Sequence, residues 1–263
     1  MKCAIVSLSF DDGRGDNRDI FENVLIPRTL PATLNVTTGY VDGSCPEELS
    51  PSDKQAITVS DVQKFANTTL VEIALHGNNH LNTEEDIAAG RNKVISWLDL
   101  QQNHVFGFAS PGSGLKVDDF LNSQSPLFRE HISYLRTSLR IEHYKLLRIL
   151  SRKAGRIMHI PLLYQIAYAD TLMSECADRV VYSVPVMKDT TLSQVKALIN
   201  LAVRRRCGLT LMFHSIVDDM AGEDNWSWER QKFIGLCDYL DKKRQEGMLE
   251  VLTTQQLVDA LRR

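Results

Sequence analysis

The chain has 263 residues, 43% hydrophobic and 24% charged, with a formal net charge of −3. That suits one globular domain of barrel size or two small ones. It lacks the basic excess that nucleic acid would require, and no apolar run approaches the roughly 20 residues of a membrane span. Cys3-Ala4-Ile5-Val6-Ser7-Leu8-Ser9-Phe10 is apolar or small throughout and ends in Asp11-Asp12-Gly13. This is the pattern of a buried strand opening into a polar site, and taken alone it is also that of an ordinary strand-end turn. Residues 20–26 read as a short inward-facing helix and 31–37 as a second strand. Residues 39–55, rich in Gly, Pro, Ser and Asp, read as a long loop on the functional face. A helix starts at Thr58-Val59-Ser60-Asp61, capped by Thr58 or Ser60, and 70–75 form a third strand that delivers His76.

Thr83-Glu84-Glu85-Asp86 begins a helix with an apolar stripe of Ile87, Val94, Ile95 and Leu98. Strand four, 104–108, runs into the breaker-rich turn Ala109-Ser110-Pro111-Gly112-Ser113-Gly114. Residues 117–123 read as helix and 132–135 as strand five, ending at Arg136-Thr137. The stretch 137–160 reads as a long connection, and 157–163, with Pro161 inside it, fits no template. Helix is expected over 168–179, 192–206, 228–245 and 253–261, and strand over 180–186, 209–213 and 249–252. The run Arg204-Arg205-Arg206 reads as a helix C-terminus rather than a phosphate contact.

Strand, loop and helix alternate seven or eight times without a hairpin signal. That argues a parallel sheet with βα repeats, open or closed into a barrel. No linker or composition break divides 1–263, which reads as a single catalytic domain. Asp11-Asp12, His76 to His80, Ala109 to Gly114 and His214 all fall at expected C-terminal strand ends, where barrels collect their chemistry. The five cysteines, at 3, 45, 176, 207 and 237, form no CxxC pair, and nothing at the N-terminus resembles a signal peptide. Both point to a cytoplasmic setting.

His76-Gly77-Asn78-Asn79-His80 puts two imidazoles within reach of one ion. Two His and one Asp leave an open coordination position, as catalytic sites do, and suit zinc or a similar divalent ion such as Co2+, Ni2+ or Mn2+. If Asp12 is the third ligand, Asp11 is free to act as general base toward water, and His214 is placed to act as general acid. A strand-end histidine bonded to a loop carbonyl is the other reading of His214. His104, His131, His143 and His159 show no such pattern.

Ser9-Phe10-Asp11-Asp12-Gly13, His76-Gly77-Asn78-Asn79-His80 and Leu211-Met212-Phe213-His214, in this order, resemble three motifs of the polysaccharide deacetylases (carbohydrate esterase family 4, NodB-like). The resemblance implies an α/β fold, a distorted (β/α)7 TIM-like barrel, and metal-dependent removal of acetyl groups from sugars. It implies Asp11 as base, Asp12, His76 and His80 as metal ligands, and His214 as acid. It also implies a substrate-binding loop at Pro111 and Gly112, whose backbone N–H would hold the oxyanion.

The chain departs from the pattern in four places. Gly77 stands where the family has Ser or Thr. Ala109 stands at the arginine that orients the base, with Arg14 or Arg136 as the expected substitutes on the substrate side. Gly112 replaces an aromatic residue. Asp189, about 25 residues before His214, matches the aspartate that orients the acid, but Thr190 replaces its neighbouring tryptophan.

The expected activity is therefore hydrolysis of a linear amide C–N bond in an N-acetylated sugar. Its substrate would be a small glycoside, a sugar nucleotide or a lipid-linked precursor. A non-sugar amidohydrolase and an inactive carbohydrate-binding barrel are the alternatives. Trp226 or Trp228 would stack on a sugar ring in any of these.

Overall fold

In a computed structural model, which describes residues 3–46, 48, 55–138, 140 and 142–262, the opening apolar run forms strand β1, Ala4–Phe10, buried at every position. Helix α1 (Asn17–Ile20) continues through a wide turn, Phe21–Leu25, and a tight one, Ile26–Arg28. The predicted inward-facing helix thus starts three residues early. Then follow β2 (Ala32–Val36), α2 (Thr38–Asp42), α3 (Val59–Ala66), β3 (Val71–Leu75) and α4 (Glu84–Leu98). Thr58 caps α3 in a capping box with Asp61. The start of the 39–55 loop is therefore α2, while 47 and 49–54 lie outside the described residues.

The chain continues as β4 (Phe106–Ala109), α5 (Val117–Leu121), β5 (Ile132–Ser138), α6 (Lys145–Met158), α7 (Pro161–Tyr168), β6 (Val180–Pro185), α8 (Leu192–Arg205) and β7 (Gly208–Phe213). It ends as β8 (Ser215–Val217), β9 (Ser227–Glu229), α9 (Arg230–Gln245), β10 (Leu249–Val251) and α10 (Thr254–Leu261).

Two expectations fail here. The helix placed over 168–179 is α7, about two turns earlier, because Pro161 has the φ of a first helical turn and no N–H to leave unpaired. The connection 137–160 contains α6, a helix of 14 residues. A smaller shift moves the start of α9 to Arg230, because Ser227–Glu229 pair in parallel with Ser215–Val217.

Strands β1 to β7 are parallel neighbours in sequence order, and β7 returns to β1 over six residue pairs, Ile5↔Gly208 to Phe10↔Phe213. The result is a closed (β/α)7 barrel with helices outside. Its distortion lies at two seams: β3 and β4 pair only at Leu75↔Phe108, and β1 and β2 only at Ser9↔Thr33 and Phe10↔Leu34. At the other end of β1, β10 takes that edge, from Ala4↔Leu249 to Val6↔Val251. The seam is polar: Ser7 Oγ lies 3.1 Å from Thr254 Oγ1, and Thr33 donates to Thr254 at 2.9 Å.

Under the C-terminal ends, Phe10 packs on Phe21, Phe213 and Phe233 with ring centroids 5.0, 5.3 and 5.8 Å apart. Each such ring stabilises the fold by about 1.5–3 kcal/mol through burial. That aromatic plate is a rigid floor beneath the residues that follow β1 and β7.

Candidate active site

The strand ends are close enough to share one cleft of about 490 Å³, lined among others by Asp11, Asp12, His76, His80, Gly112 and His214. The parallel register continues one residue past β1, where Asp11 N–H donates to Phe213 C=O at 2.9 Å. The chain then turns sharply: Asp12 and Gly13 both have φ of 74°. For an aspartate this left-handed conformation is strained, and such strain collects at functional sites. Here it swings the Asp12 carboxylate back over the barrel mouth.

His80 shares the feature, with φ of 60°. Its turn is held by one carboxylate, that of Asp86 in the first turn of α4. Asp86 accepts the backbone N–H groups of Asn78 (2.9 Å), Asn79 (2.9 and 3.1 Å) and Leu81 (3.1 Å). This also explains the glycine in the motif. Gly77 has φ of 80°, and a Cβ there would lie 2.6 Å from Asp86 Oδ2 and 2.9 Å from Leu81 C=O. The carboxylate occupies the room that a Ser or Thr side chain would need.

Asp12 Oδ1 lies 3.5 Å from His76 Nε2 and 3.5 Å from His80 Nε2. It is buried and has no hydrogen-bond partner among the described residues. The other Asp12 oxygen accepts from Arg14 Nε at 3.0 Å. His76 Nδ1–H donates to Ala109 C=O at 2.7 Å, which fixes the tautomer and leaves the Nε2 lone pair facing the gap. One carboxylate oxygen and two imidazole nitrogens, mutually within 4.8 Å, therefore converge on a point that no polar group of the chain fills. A divalent ion preferring N and O donors fits this set.

The electrostatics agree. Burial would raise the Asp12 pKa, but the neighbouring His76, with the charges of His214 and Arg14, holds it well below the carboxylate range. Burial, then the neighbouring His76, push His80 down to about 4, so its ring is neutral at physiological pH. Burial would lower His76, but Asp11 and Asp12 outweigh it and raise its pKa.

Asp11 sits beside this group. Arg136 Nη2 reaches both its oxygens, at 2.7 and 2.6 Å, and Asn35 Nδ2 donates to Oδ1 at 2.8 Å. Burial would raise the Asp11 pKa, but Arg136 above all brings it below the usual value. Arg136 is itself 2% exposed and braced by Ser183 Oγ at 3.0 Å. His214 Nε2 is 3.9 Å from Asp11 Oδ2, and its ring lies against Trp226 with centroids 4.5 Å apart. Burial lowers the His214 pKa.

Of the predicted residues, Arg136 takes the place expected of the missing base-orienting arginine, and Asp189, Arg14 and Pro111 are placed differently from expectation. Asp189 does not reach His214; it pairs with Arg156 Nε at 2.7 Å, and His214 Nδ1 has no hydrogen-bond partner among the described residues. Arg14 lines the cleft but is engaged by Asp12, by Asp224 at 3.0 Å and by Ser215 at 3.1 Å, and Arg136, off the cleft lining, is engaged by Asp11; each braces a carboxylate. Pro111 does not line the cleft. It is buried, and its C=O accepts from Asn82 Nδ2 at 2.9 Å. Gly112 does line the cleft, with φ of 54° and open space where a side chain would stand. Of the two tryptophans, Trp226 is at the cleft, while Trp228 is buried and donates to Thr190 C=O at 2.7 Å.

Asp86, Asn35, Ser183 and Asp224 were not singled out from sequence. Only Asp86 left a signal: it stands three residues after the helix cap Thr83 and ten after His76.

No family model and no curated protein matches the chain. Among solved structures it is similar to a family 4 acetyl xylan esterase from Clostridium thermocellum in complex with a cobalt ion, at 15% identity over 97% of this chain and 91% of that one, TM-score 0.47. It is similar to the catalytic domain of a peptidoglycan N-acetylglucosamine deacetylase from Eubacterium rectale, at 13% identity over 96% and 90%, TM-score 0.46. It is also similar to the deacetylase domain of BpsB from Bordetella bronchiseptica, at 16% identity over 51% of this chain and 64% of that one, TM-score 0.41. With TM-scores this low the likenesses add no weight of their own. The chain resembles the NodB-like polysaccharide deacetylases in its closed seven-stranded barrel and in the strand-end residues that the barrel brings together.

Proposed function

We propose that residues 1–263 form one catalytic domain that hydrolyses the acetamide of an N-acetylated sugar. One observation carries the reading. The orphaned Asp12 Oδ1 faces two imidazole nitrogens at 3.5 Å, while Asp11 and His214 flank the same point. A divalent ion bound by Asp12, His76 and His80 would polarise the acyl oxygen and make water more acidic. Asp11, ionised and aimed by Arg136 and Asn35, accepts the proton of the attacking water. His214 Nε2 delivers a proton to the departing nitrogen, and its lowered pKa makes the protonated ring a stronger acid. Gly112, with no side chain over the cleft, leaves its backbone open to the developing oxyanion. Trp226, beside His214, offers an apolar wall to a sugar ring.

Zinc is the ion that this donor set favours, with Co2+, Ni2+ or Mn2+ as substitutes. The five free cysteines support a cytoplasmic setting, and hence a glycoside, sugar nucleotide or lipid-linked acetamido-sugar as substrate rather than polymerised wall.

The test is elemental analysis of the wild type beside Asp12→Ala and His80→Ala, followed by acetate release from an acetamido-sugar panel and from simple amides. About one ion per chain, lost in both variants, with acetate released only from sugars, is the expected result. Metal binding without acetate release from any sugar would overturn the activity. A folded wild type that takes up no ion would overturn the site itself.

A further inference from the structure

We propose that α6 docks this protein on an anionic lipid bilayer, lying in the plane of the membrane surface beside the mouth of the cleft. The helix is built inside out. At 100° per residue, Leu146, Leu147, Leu150, Ala154, Ile157 and Met158 share one face, Arg148, Ser151 and Gly155 the buried flank beside it, and Lys145, Arg152 and Arg156 the side opposite the apolar face. In a soluble protein the apolar face packs inward. Here the residues packed inward are Arg148, Ser151 and Gly155, held by polar bonds. Arg148 Nε donates to His143 C=O at 2.8 Å, and its guanidinium pairs with Asp170. Gln194 Nε2 donates to Gly155 C=O at 2.7 Å. The apolar face is left in solvent, with Leu146 71%, Leu150 54%, Ile157 80% and Met158 60% exposed, and Leu162 of α7 extends it at 62%. A contiguous apolar surface of this kind marks an interaction site.

Charge names the occupant. Residues 143–169 contain five Lys or Arg and no Asp or Glu, in a chain whose net charge is −3. Among the described residues Lys145, Arg152 and Lys153 make no ion pair. A Leu-rich face flanked by unpaired cations is the signature of a helix that lies at a membrane interface and is drawn to anionic headgroups. A second copy is a poor occupant, since a two-fold contact would set α6 against α6, cations facing cations. At 14 residues α6 is about 21 Å long and cannot cross a bilayer, and no helix among the described residues is long and apolar enough to do so. Arg152 and Arg156, one helical turn apart, also line the catalytic cleft. Resting on the deacetylase reading, this makes the substrate an acetamido-sugar carried on a lipid phosphate, which would enter the cleft from the membrane side past those two guanidinium groups.

The experiment is co-sedimentation of the whole chain with vesicles of equal parts phosphatidylglycerol and phosphatidylcholine, or of phosphatidylcholine alone. The variants are Leu146→Ser/Leu150→Ser/Ile157→Ser and Lys145→Glu/Lys153→Glu, all at exposed positions outside the cleft. Wild type is expected to bind the anionic vesicles. The triple variant should lose at least about tenfold in partitioning, from the lost apolar insertion. Each charge reversal should cost about fivefold or more, and binding should weaken with salt. Both variants should keep the wild-type thermal midpoint and metal content. Wild type that stays in solution, or binds neutral vesicles and the triple variant equally well, would overturn the proposal. So would a dimer in light scattering that the triple variant disperses. Vesicle binding is read without turnover, so its failure is separate from a failure of the deacetylase assay.

Discussion

Replacing Gly77 with Ser, the residue type at the matching place in the deacetylase motif, is expected to weaken this protein rather than repair it. Two costs add. The backbone φ of 80° is open to glycine and costs any other residue about 1–2 kcal/mol. The new Cβ would stand 2.6 Å from Asp86 Oδ2, too close to remain. Asp86 can withdraw only by giving up N–H groups of Asn78, Asn79 and Leu81, and losing one such charge-assisted bond costs about 1.5–3 kcal/mol. Together these predict about 2.5–5 kcal/mol lost for Gly77→Ser. Because the same turn sets the position of His80, weaker metal binding should follow. Urea unfolding of the metal-free protein and a metal titration would measure both. The mechanism is isolated by repeating the substitution in an Asp86→Ala background, where the carboxylate is gone, the Leu81 C=O contact at 2.9 Å and the backbone cost remain, and the loss should be smaller by about 1.5–3 kcal/mol. A Gly77→Ser protein within about 0.5 kcal/mol of wild type would refute the reasoning. An equal cost in both backgrounds would do the same.

Arg136→Met should destabilise the fold by about 3–5 kcal/mol, because it leaves the Asp11 carboxylate buried and unpaired. Adding Asp11→Asn should recover most of that loss in urea unfolding, and a single-variant cost under about 1 kcal/mol would show that the pair is not what holds Asp11. Asp189→Ala should keep kcat for acetate release within about threefold of wild type, since its partner is Arg156, whereas His214→Ala should lose about 100-fold or more. A loss in Asp189→Ala as large as that would return to it the role of orienting the acid. Asp170 should give α6 a pH-dependent anchor. Burial would raise its pKa, but the N–H groups of His143 and Glu142 and the charge of Arg148 bring it below its ordinary 3.8. A depressed carboxyl pKa stabilises the fold above the unfolded value, and the contribution fades as pH falls through the folded value. Hydrogen exchange of the α6 amides should therefore speed up below about pH 4, and Asp170→Asn should remove that step.

The strands were readable because a parallel barrel buries both strand faces, so β1, β3 and β7 appear as mostly apolar runs broken only by Ser7, Ser9, Glu72 and Thr210. The residues that follow them were readable for the same reason: a carboxylate or imidazole directly after such a run has nowhere to go but the barrel mouth. What the sequence hid was lateral. Arg136 comes 125 positions after Asp11, so the motif pattern could offer it only beside Arg14, and the curvature of the barrel decides that Arg136 holds Asp11 while Arg14 holds Asp12. Asp86 reads as a helix-capping residue, and its hold on the His80 turn exists only once α4 packs against Gly77 through Gly90. Asp189 lies at the expected distance along the chain from His214, but Arg156 of α6 takes its carboxylate. Helix α6 itself was missed because its pattern and its packing disagree, with leucines turned outward and Arg148 turned inward.

The three-way pairing of β1 also bears on how the molecule is made. Its edges wait for β7, about 200 residues later, and for β10, which joins later still. A chain emerging from the ribosome therefore carries this fully buried strand with both of those partners still unsynthesised. Closure is a late, long-range event that a high contact order makes slow. Until then Val6, Leu8 and Phe10 are exposed to adventitious pairing, so this fold should depend on chaperones that shield the nascent N-terminal strand until the last helix is out.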